Sequence, residues 1–335
     1  MSIDAEKFKE QMLQTWKGLQ EVGWHWFRYH FMTGPTPFAM SIFHTCASLD
    51  ESTDGIGRQL LADLLRIGGR ERDEDQYEQL LQKLAEILVL ERIVSSDWPE
   101  GTTFEYEPEA VRGGPRPELL VTSGNMRLVI EVKAPSLLRH IRNRASNATQ
   151  LAYRDAVLRT TVEQISEDKG ITLPRDNPVL DFLKSANRKF EGFRNGTTAS
   201  LLVIVWDDYI YEPISVLMNE RSGLLTPQSF QRDAETGAAL TFPNVDAIVV
   251  LRHLNYFIAA SREEPLGDRL NGMDFGSDRA MPNVAFGVSN IEAVPQHVYD
   301  RLRALPYGHD ALMGAEYHVA DMVFWVDVER YGKQK

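Results

Sequence analysis

Three charged residues stand near the ends of two short apolar segments, in an order that suits metal chemistry. Glu118 follows a proline, and the segment MRLVIEVK carries Glu131 and Lys133 at its end. Alternate side chains of a strand share one face, so Glu131 and Lys133 are predicted to be neighbours, with Glu118 on the adjacent strand. Two carboxylates and the Val132 carbonyl offer oxygen ligands to Mg²⁺, for which Mn²⁺ can substitute. A neighbouring lysine orients a water molecule and stabilises negative charge, as phosphodiester hydrolysis requires.

A purely structural interpretation of the same residues is the alternative. Glu131 and Lys133 would then form an exposed ion pair, which contributes only about 0–1 kcal/mol. We favour the functional interpretation because the flanking residues are apolar, and a strand buried on both faces rarely carries two charges without a partner. The preceding segment, FEYEPE, contains three competing candidates for the first carboxylate: Glu105, Glu107 and Glu109.

The segments around these residues alternate between helical and strand periodicity. This pattern predicts an α/β fold with a mixed central sheet flanked by helices. An amphipathic helix is expected from Tyr77, and the turn Ser123-Gly124-Asn125 is expected to join the two strands of interest. The other predicted core elements are a strand at Thr103–Glu109, a helix at Asn147–Ser166, and buried strands at Ser200–Tyr209 and Val245–Leu254.

Three regions are predicted: an N-terminal helical region at 1–72, a core at 73–255 and a C-terminal α/β extension at 256–335. In the first, Gly34–Pro37 is expected to break the helices, and a further helix is expected near Gly57–Ile67. The aromatic run WHWFRYHF can stack on bases, but a place in the helical core is favoured. The extension is predicted to contain a strand, a helix and the final strand DMVFWVDV, which either extend the sheet or form a small lobe.

The composition excludes several classes of protein. A formal net charge of −12 excludes a general polyanion binder, so contact with nucleic acid requires a local basic patch. The single cysteine, Cys46, permits neither an intramolecular disulfide nor a cysteine-based zinc site. Neither a signal peptide nor a membrane-spanning apolar run is found, which with the cysteine usage predicts a cytoplasmic protein.

The order P-E, then E-V-K, then Gln150-Leu151-Ala152-Tyr153 resembles the signature of the PD-(D/E)XK nuclease superfamily, including the Q-x-x-Y element of its RecB-like branch. The resemblance implies a restriction-endonuclease-like core, with Glu118 where the superfamily usually has aspartate and with Gln150 near the active centre. It also implies an added acidic ligand on the helix before the first strand. Glu86 is preferred to Glu78 for that position because it borders the apolar face of its helix.

A basic stretch follows the proposed centre in this acidic chain. Acidic residues are sparse between Ala134 and Leu158, where Asp155 stands alone. Because phosphate contacts supply much of the affinity for nucleic acids, the stretch is predicted to contact DNA, with a solvated basic loop as the alternative. The candidate nucleic-acid-binding residues are Arg139, Arg142, Arg144, Tyr153 and Arg154.

The first functional hypothesis is a Mg²⁺-dependent deoxyribonuclease. The resemblance implies DNA rather than RNA as the substrate, restriction or anti-phage defence as a setting, and a homodimer or a partner subunit as the assembly. The second hypothesis is a catalytically inactive nuclease-fold module that binds DNA or a protein partner. In the first hypothesis the catalytic residues are Glu118, Glu131, Lys133 and Gln150, and the metal ligands are Glu86, Glu118, Glu131 and Val132.

Overall fold

The computed structural model describes residues 5–22, 24–32, 34–68, 73–146, 149–152, 176–220, 222–229, 231–277, 280–312 and 322–325. Its N-terminal region is helical, as predicted, with α1 at Ala5–Glu21, α2 at Pro37–Ser52, α3 at Ile56–Arg66 and a 3₁₀ segment at Trp26–Phe31.

Pro37 is the first residue of helix α2. The Thr36 hydroxyl accepts a hydrogen bond from the Ala39 backbone N–H at 3.3 Å and caps α2, and Pro37 occupies the first turn. Proline suits that position because its missing N–H has no partner within the helix. The break predicted at Gly34–Pro37 is therefore correct, but the helix that follows it was not anticipated.

A seven-stranded mixed sheet forms the centre of the molecule, which confirms the predicted α/β class. Its strand order is β1-β2-β3-β5-β6-β7-β8. The first three strands are antiparallel, β3, β5 and β6 run parallel, and β7 is antiparallel to β6 and parallel to β8. The strands are β1 Thr103–Tyr106, β2 Leu119–Ser123, β3 Met126–Lys133, β4 Thr149–Ala152, β5 Thr198–Trp206, β6 Ala247–Arg252, β7 Asn283–Gly287, β8 Ala304–Pro306 and β9 Met322–Trp325.

Helices precede and connect these strands. The long helix before β1 begins where the Asp73 carboxylate accepts a hydrogen bond from the Gln76 N–H at 3.2 Å, which satisfies one of the free N–H groups of its first turn. The helices that follow α3 are α4 Glu74–Val94, α5 Leu138–Ser146, α6 Asp176–Glu191, α7 Tyr211–Met218, α8 Leu254–Ser261 and α9 Gln296–Arg301.

The helix predicted at Asn147–Ser166 is wrong where the structure describes it. Residues 149–152 form β4, which pairs in parallel with β9, Gln150 lying opposite Val323. The backbone N–H and C=O groups of this short segment pair with β9, which lies far away in the sequence. Local hydrophobic periodicity does not predict such long-range pairing. Residues 147–148 and 153–175 lie outside the described part.

The C-terminal elements divide between two sheets. The predicted strand and helix after residue 282 appear as β7 and α9, and β7 and β8 extend the main sheet. The predicted final strand is present at β9, but it pairs with β4 in a separate two-stranded sheet. Extension of the main sheet, one of the two arrangements considered for this region, is therefore observed for β7 and β8, and the small lobe stays a prediction.

Buried apolar side chains form one continuous cluster that runs from Leu19 to Leu312. The cluster crosses both predicted regional boundaries, since α2 and α3 pack on α4 and β7 continues the sheet. The division into three regions stays a prediction. None of the helices in the described ranges has the length and apolarity needed to cross a membrane.

The contact between α2 and α3 depends on Gly57. A Cβ atom built there would lie 1.9 Å from the Cys46 carbonyl oxygen, which is a backbone atom that cannot move aside. We expect Gly57→Ala to lower the free energy of unfolding by about 1–3 kcal/mol, the usual cost of overpacking, as measured by urea denaturation. Gly18→Ala is the matched control, because its Cβ would meet only the Leu65 methyl at 3.3 Å and alanine favours the helix. Equal stability of both variants would contradict the close approach.

Candidate active site

The β2–β3 hairpin brings the predicted residues together. Leu119 lies opposite Ile130, and the Glu118 N–H donates to the Ile130 carbonyl at 2.9 Å. Glu118 therefore lies beside Glu131 across the strand pair. Glu131 and Lys133 share a face of β3, as the alternation predicts, and their side chains are in contact.

Glu131 is completely buried and is paired with two lysines. The Lys133 Nζ lies 2.5 Å from its Oε1. The Lys189 Nζ, from α6, lies 2.6 Å from Oε1 and 2.8 Å from Oε2. A buried carboxylate needs such partners because losing its hydration is costly. We call Glu118, Glu131, Lys133 and Lys189 the central cluster.

Lys189 was not predicted from the sequence. This lysine follows Glu131 by 58 residues and lies in an amphipathic helix that also carries Lys184 and Arg188. No local motif distinguishes it from those residues. Only the packing of α6 against the sheet brings it to the centre.

Glu118 has an unusually weakly acidic carboxyl group. Its side chain is 16% exposed, and its Oε1 lies 4.0 Å from the Lys189 Nζ. Burial, followed by the negative charges of Glu86 and Glu131, raises its pKa to about 8, although Lys189 and Lys133 oppose the shift. Glu118 is therefore largely protonated at neutral pH when no further cation is present.

Glu86 lies on the same side of the site, on α4. Its carboxylate accepts a hydrogen bond from the Tyr106 hydroxyl at 2.7 Å and pairs with the Lys83 Nζ at 2.5 Å. The Asp63 carboxylate lies 3.8 Å from the same Nζ. The competing Glu78 has another role, since it accepts a hydrogen bond from the Leu138 N–H at 2.9 Å at the start of α5. Of the two, Glu86 is therefore the residue whose charge acts on Glu118, and its role as a metal ligand stays a prediction.

Three further residues of this neighbourhood were not predicted. Lys83 stands one helical turn before Glu86, and the i,i+3 spacing of opposite charges was an available signal. Tyr106 lies on the opposite face of β1 from the exposed Glu105. Strand alternation predicts that Tyr106 faces inward, but it does not predict the contact with Glu86. Asp63 comes from α3, and no pattern in the sequence joins it to the site.

The lysines remain charged in these surroundings. Burial alone would lower the pKa of Lys133, but its ion pair with Glu131 and the charges of Glu118 and Glu86 raise the pKa above the ordinary value. For Lys83, burial is likewise outweighed, chiefly by Glu86, and the pKa is raised. In the metal-free site the raised pKa keeps Lys133 protonated at neutral pH, where its ammonium group is a hydrogen-bond donor.

The competing carboxylates of the preceding segment lie elsewhere. Glu105 is exposed. Glu107 and Glu109 both pair with Arg116, Glu107 at 3.8 Å. Glu118, rather than Glu105, Glu107 or Glu109, is therefore the glutamate that lies in the central cluster with Glu131.

The carboxylates do not form a metal site as they stand. Within the described ranges, no three carboxylate, histidine or cysteine groups converge as metal ligands would. The place that a cation would take beside Glu118 and Glu131 is held by the Lys189 ammonium group. The donor set itself fits Mg²⁺, which prefers carboxylate oxygens. The Val132 carbonyl points to the same side of β3 as that of Ile130, beyond the end of β2, because strand carbonyls alternate.

The predicted nucleic-acid-binding residues are only partly accounted for. Arg139 is exposed on α5, whereas Arg142 forms a two-bond ion pair with Glu74 at 2.5 and 2.7 Å. Arg144 belongs to α5 and Gln150 to β4, and nothing is described of their side chains. Tyr153 and Arg154 lie outside the described residues.

Comparison of the chain with known protein families, curated proteins and solved structures finds no match. The function of the site is therefore inferred from its own geometry.

Stability should fall with rising pH because of Glu118. Its pKa is raised to about 8 in the folded protein, so between the ordinary glutamate value and pH 8 the folded state binds more protons than the unfolded state. Deprotonation of Glu118 then lowers the free energy of unfolding. Because Glu118→Gln removes this effect, the free energy of unfolding of the variant should rise relative to that of the wild type as pH increases from 5 to 8.5, as measured by urea unfolding. The exposed Glu105→Gln serves as control, and a difference that does not change with pH would contradict the assignment.

Proposed function

We propose that the protein is a metal-dependent nuclease that hydrolyses phosphodiester bonds of DNA. The observation that carries this proposal is the buried Glu131 at the end of β3, with Lys133 on the same face and Glu118 across the strand pair. Two acidic side chains and a lysine at one end of a strand pair are a combination that binds a hard cation and a phosphate.

The order of elements supports the same proposal. A helix, α4, precedes three antiparallel strands, and α5, the short strand β4 and α6 lie between β3 and β5, which runs parallel to β3. The helix, the three strands and the parallel β5 are similar in order to the restriction-endonuclease-like core that the sequence resemblance implies, whereas β4 stands where that resemblance implies a helix. The acidic residues of the proposal lie on α4, just before β2 and near the end of β3.

Each residue has a distinct part in the proposed reaction. Glu118, Glu131, the Val132 carbonyl and Glu86 would hold Mg²⁺, which when bound supplies positive charge that stabilises a phosphodiester under attack. Lys133 orients the attacking water and stabilises charge on the phosphate. Hydrolysis forms a bond from the water oxygen to phosphorus, breaks one P–O ester bond and leaves a proton on the departing alcohol.

The surface near the site supplies part of what a DNA substrate needs. Arg139 is exposed on α5, which begins five residues after Lys133. In a chain of net charge −12 such local cations are the means of phosphate contact. We propose DNA rather than RNA from the resemblance alone, and restriction or anti-phage defence as its setting on the same ground.

One observation favours a different function, that of an inactive nuclease-fold module that binds DNA or a protein partner. Both oxygens of Glu131 are already engaged by ammonium groups, and Lys189 lies between Glu131 and Glu118. A network that neutralises itself needs no metal. The two functions differ in whether Mg²⁺ displaces Lys189.

Cleavage assays test the nuclease directly. Supercoiled plasmid, linear duplex, single-stranded DNA and RNA would be incubated with Mg²⁺ or Mn²⁺. We expect Glu131→Gln and Lys133→Met to lower the cleavage rate at least about 100-fold, because each removes a charge that acts on the reacting phosphate. Lys184→Met, which changes an exposed lysine of α6, should leave the rate unchanged. Undiminished cleavage by both site variants would overturn the catalytic assignment, and loss of cleavage in all three would point to a general defect.

A second test asks whether Lys189 stands where a metal would bind. Lys189→Met leaves the buried Glu131 with one ammonium partner, so we expect a loss of stability of up to about 3–5 kcal/mol without metal. Mg²⁺ should then raise the unfolding temperature of this variant by more than it raises that of the wild type. Lys184→Met is again the control. An equal response to Mg²⁺ in all three proteins would favour the inactive module.

A further inference from the structure

A cavity of about 890 Å³ lies between the N-terminal aromatic segment and helices α4, α5 and α8, away from the central cluster. Its volume is that of a small-molecule site. The favoured core role holds for Phe27, His30 and Phe31 of that segment, which are buried. Trp24 and Trp26, by contrast, line the cavity.

The aromatic wall of the cavity offers flat apolar surfaces. The ring centroids of Trp24 and Trp26 are 4.7 Å apart at an interplanar angle of 84°, and those of Trp26 and Tyr77 are 4.6 Å apart at 40°. The exposed faces of these rings give the cavity surfaces on which a planar ligand can pack.

Charged residues on the cavity are mainly basic. Arg28, Arg142 and Arg262 line it together with a single acidic residue, Glu74, which is bound to Arg142. Arg28 makes a long 3.5 Å contact with Gln20, and the exposed pair of Arg262 with Glu264 spans 3.9 Å. Neither contact holds its guanidinium group strongly. The excess of positive charge selects an anion.

We propose that this cavity binds a nucleotide. The base packs against Trp24, Trp26 and Tyr77, and the phosphate lies at Arg28 and Arg262. A planar ring that carries a phosphate suits the aromatic wall and the positive rim together. A free mononucleotide and a nucleotide within a DNA strand share this chemistry, and the second source also rests on the proposed nuclease.

The cavity shares helix α4 with Glu86, which lies beside the central cluster. Tyr77 lines the cavity on α4, and Glu86 lies nine residues farther along the same helix, which corresponds to about 14 Å. The cavity also touches Leu138 and Ile141 of α5, close in sequence to Lys133. A bound nucleotide is therefore placed to act on the site through α4 and α5, or to extend a strand that the site holds.

Isothermal titration calorimetry of the full chain tests the proposal. The probes are the four deoxyribonucleoside and four ribonucleoside 5′-monophosphates, the corresponding nucleosides, inorganic phosphate, and a short single-stranded DNA. We expect a nucleotide or the DNA to bind, with the nucleosides and inorganic phosphate weaker. Trp26→Leu should weaken binding at least about fivefold, the lower limit of base stacking on one ring. Arg28→Gln should weaken it for phosphate-bearing probes alone.

Two further variants complete the test. Trp26→Phe keeps a smaller aromatic ring, so it should weaken binding less than Trp26→Leu, and it carries the test together with Arg28→Gln if the leucine variant does not fold. Arg112→Gln, which changes an exposed arginine that does not line the cavity, should bind as the wild type does.

The outcomes separate the two sources and the two proposals. Binding of mononucleotides identifies a free ligand, and cavity-dependent binding of DNA alone identifies a nucleotide of a strand. Absence of binding by every probe, or binding that the Trp26 and Arg28 variants leave unchanged, overturns the proposal. Lys133→Met should not alter the binding of a mononucleotide, so failure of the nuclease assignment and failure of this one are distinguishable.

Discussion

The negative charge of Glu131, which is completely buried, is the constraint on which the centre of this protein depends. The residue lies in β3 opposite Leu202 of the parallel strand β5, and no part of it is exposed. Such a carboxylate is tolerated only with counter-charges at contact distance. The chain supplies them from two elements, Lys133 on β3 itself and Lys189 on α6. The position of α6 against the sheet is thus linked to the charge on β3.

The surrounding ionisable groups form a larger balance. Four carboxyl groups, those of Asp63, Glu86, Glu118 and Glu131, are held among three ammonium groups, those of Lys83, Lys133 and Lys189. The formal excess is one negative charge, and the raised pKa of Glu118 shows where a proton would cancel it. In the proposed function, a divalent cation that enters this network would replace both that proton and the Lys189 ammonium group. The network is therefore near neutral without a metal and keeps the oxygen ligands that a metal would use.

Local patterns predicted the parts of the fold that local interactions determine. The hairpin was found because both strands are apolar and because Gly124, whose φ is 57°, allows the tight turn. Strand alternation then placed Glu131 and Lys133 on one face, and the pairing of the strands placed Glu118 beside them. Lys189 and Asp63 were not found, since their positions depend on how α6 and α3 pack. The strand at Gln150 was missed for the same reason, because its partner, β9, lies at the other end of the chain.

A network of this kind is poorly explained as a device for stability. Buried ion pairs often contribute less to folding than well-packed apolar residues of similar size, because each charge loses its hydration. The sheet around the cluster is otherwise made of fully buried valine, leucine and isoleucine, so an apolar alternative was available to the fold. Charges retained at the end of a strand, beside a carboxyl group of altered acidity, are typical of a site that acts on a ligand. The same helix that presents Glu86 to these charges presents Tyr77 to a cavity rimmed by arginines. Tyr77 and Glu86 of α4 therefore connect the proposed nucleotide cavity, whose rim is basic, with the proposed metal site, whose carboxylates need a bound cation before they can face a phosphate.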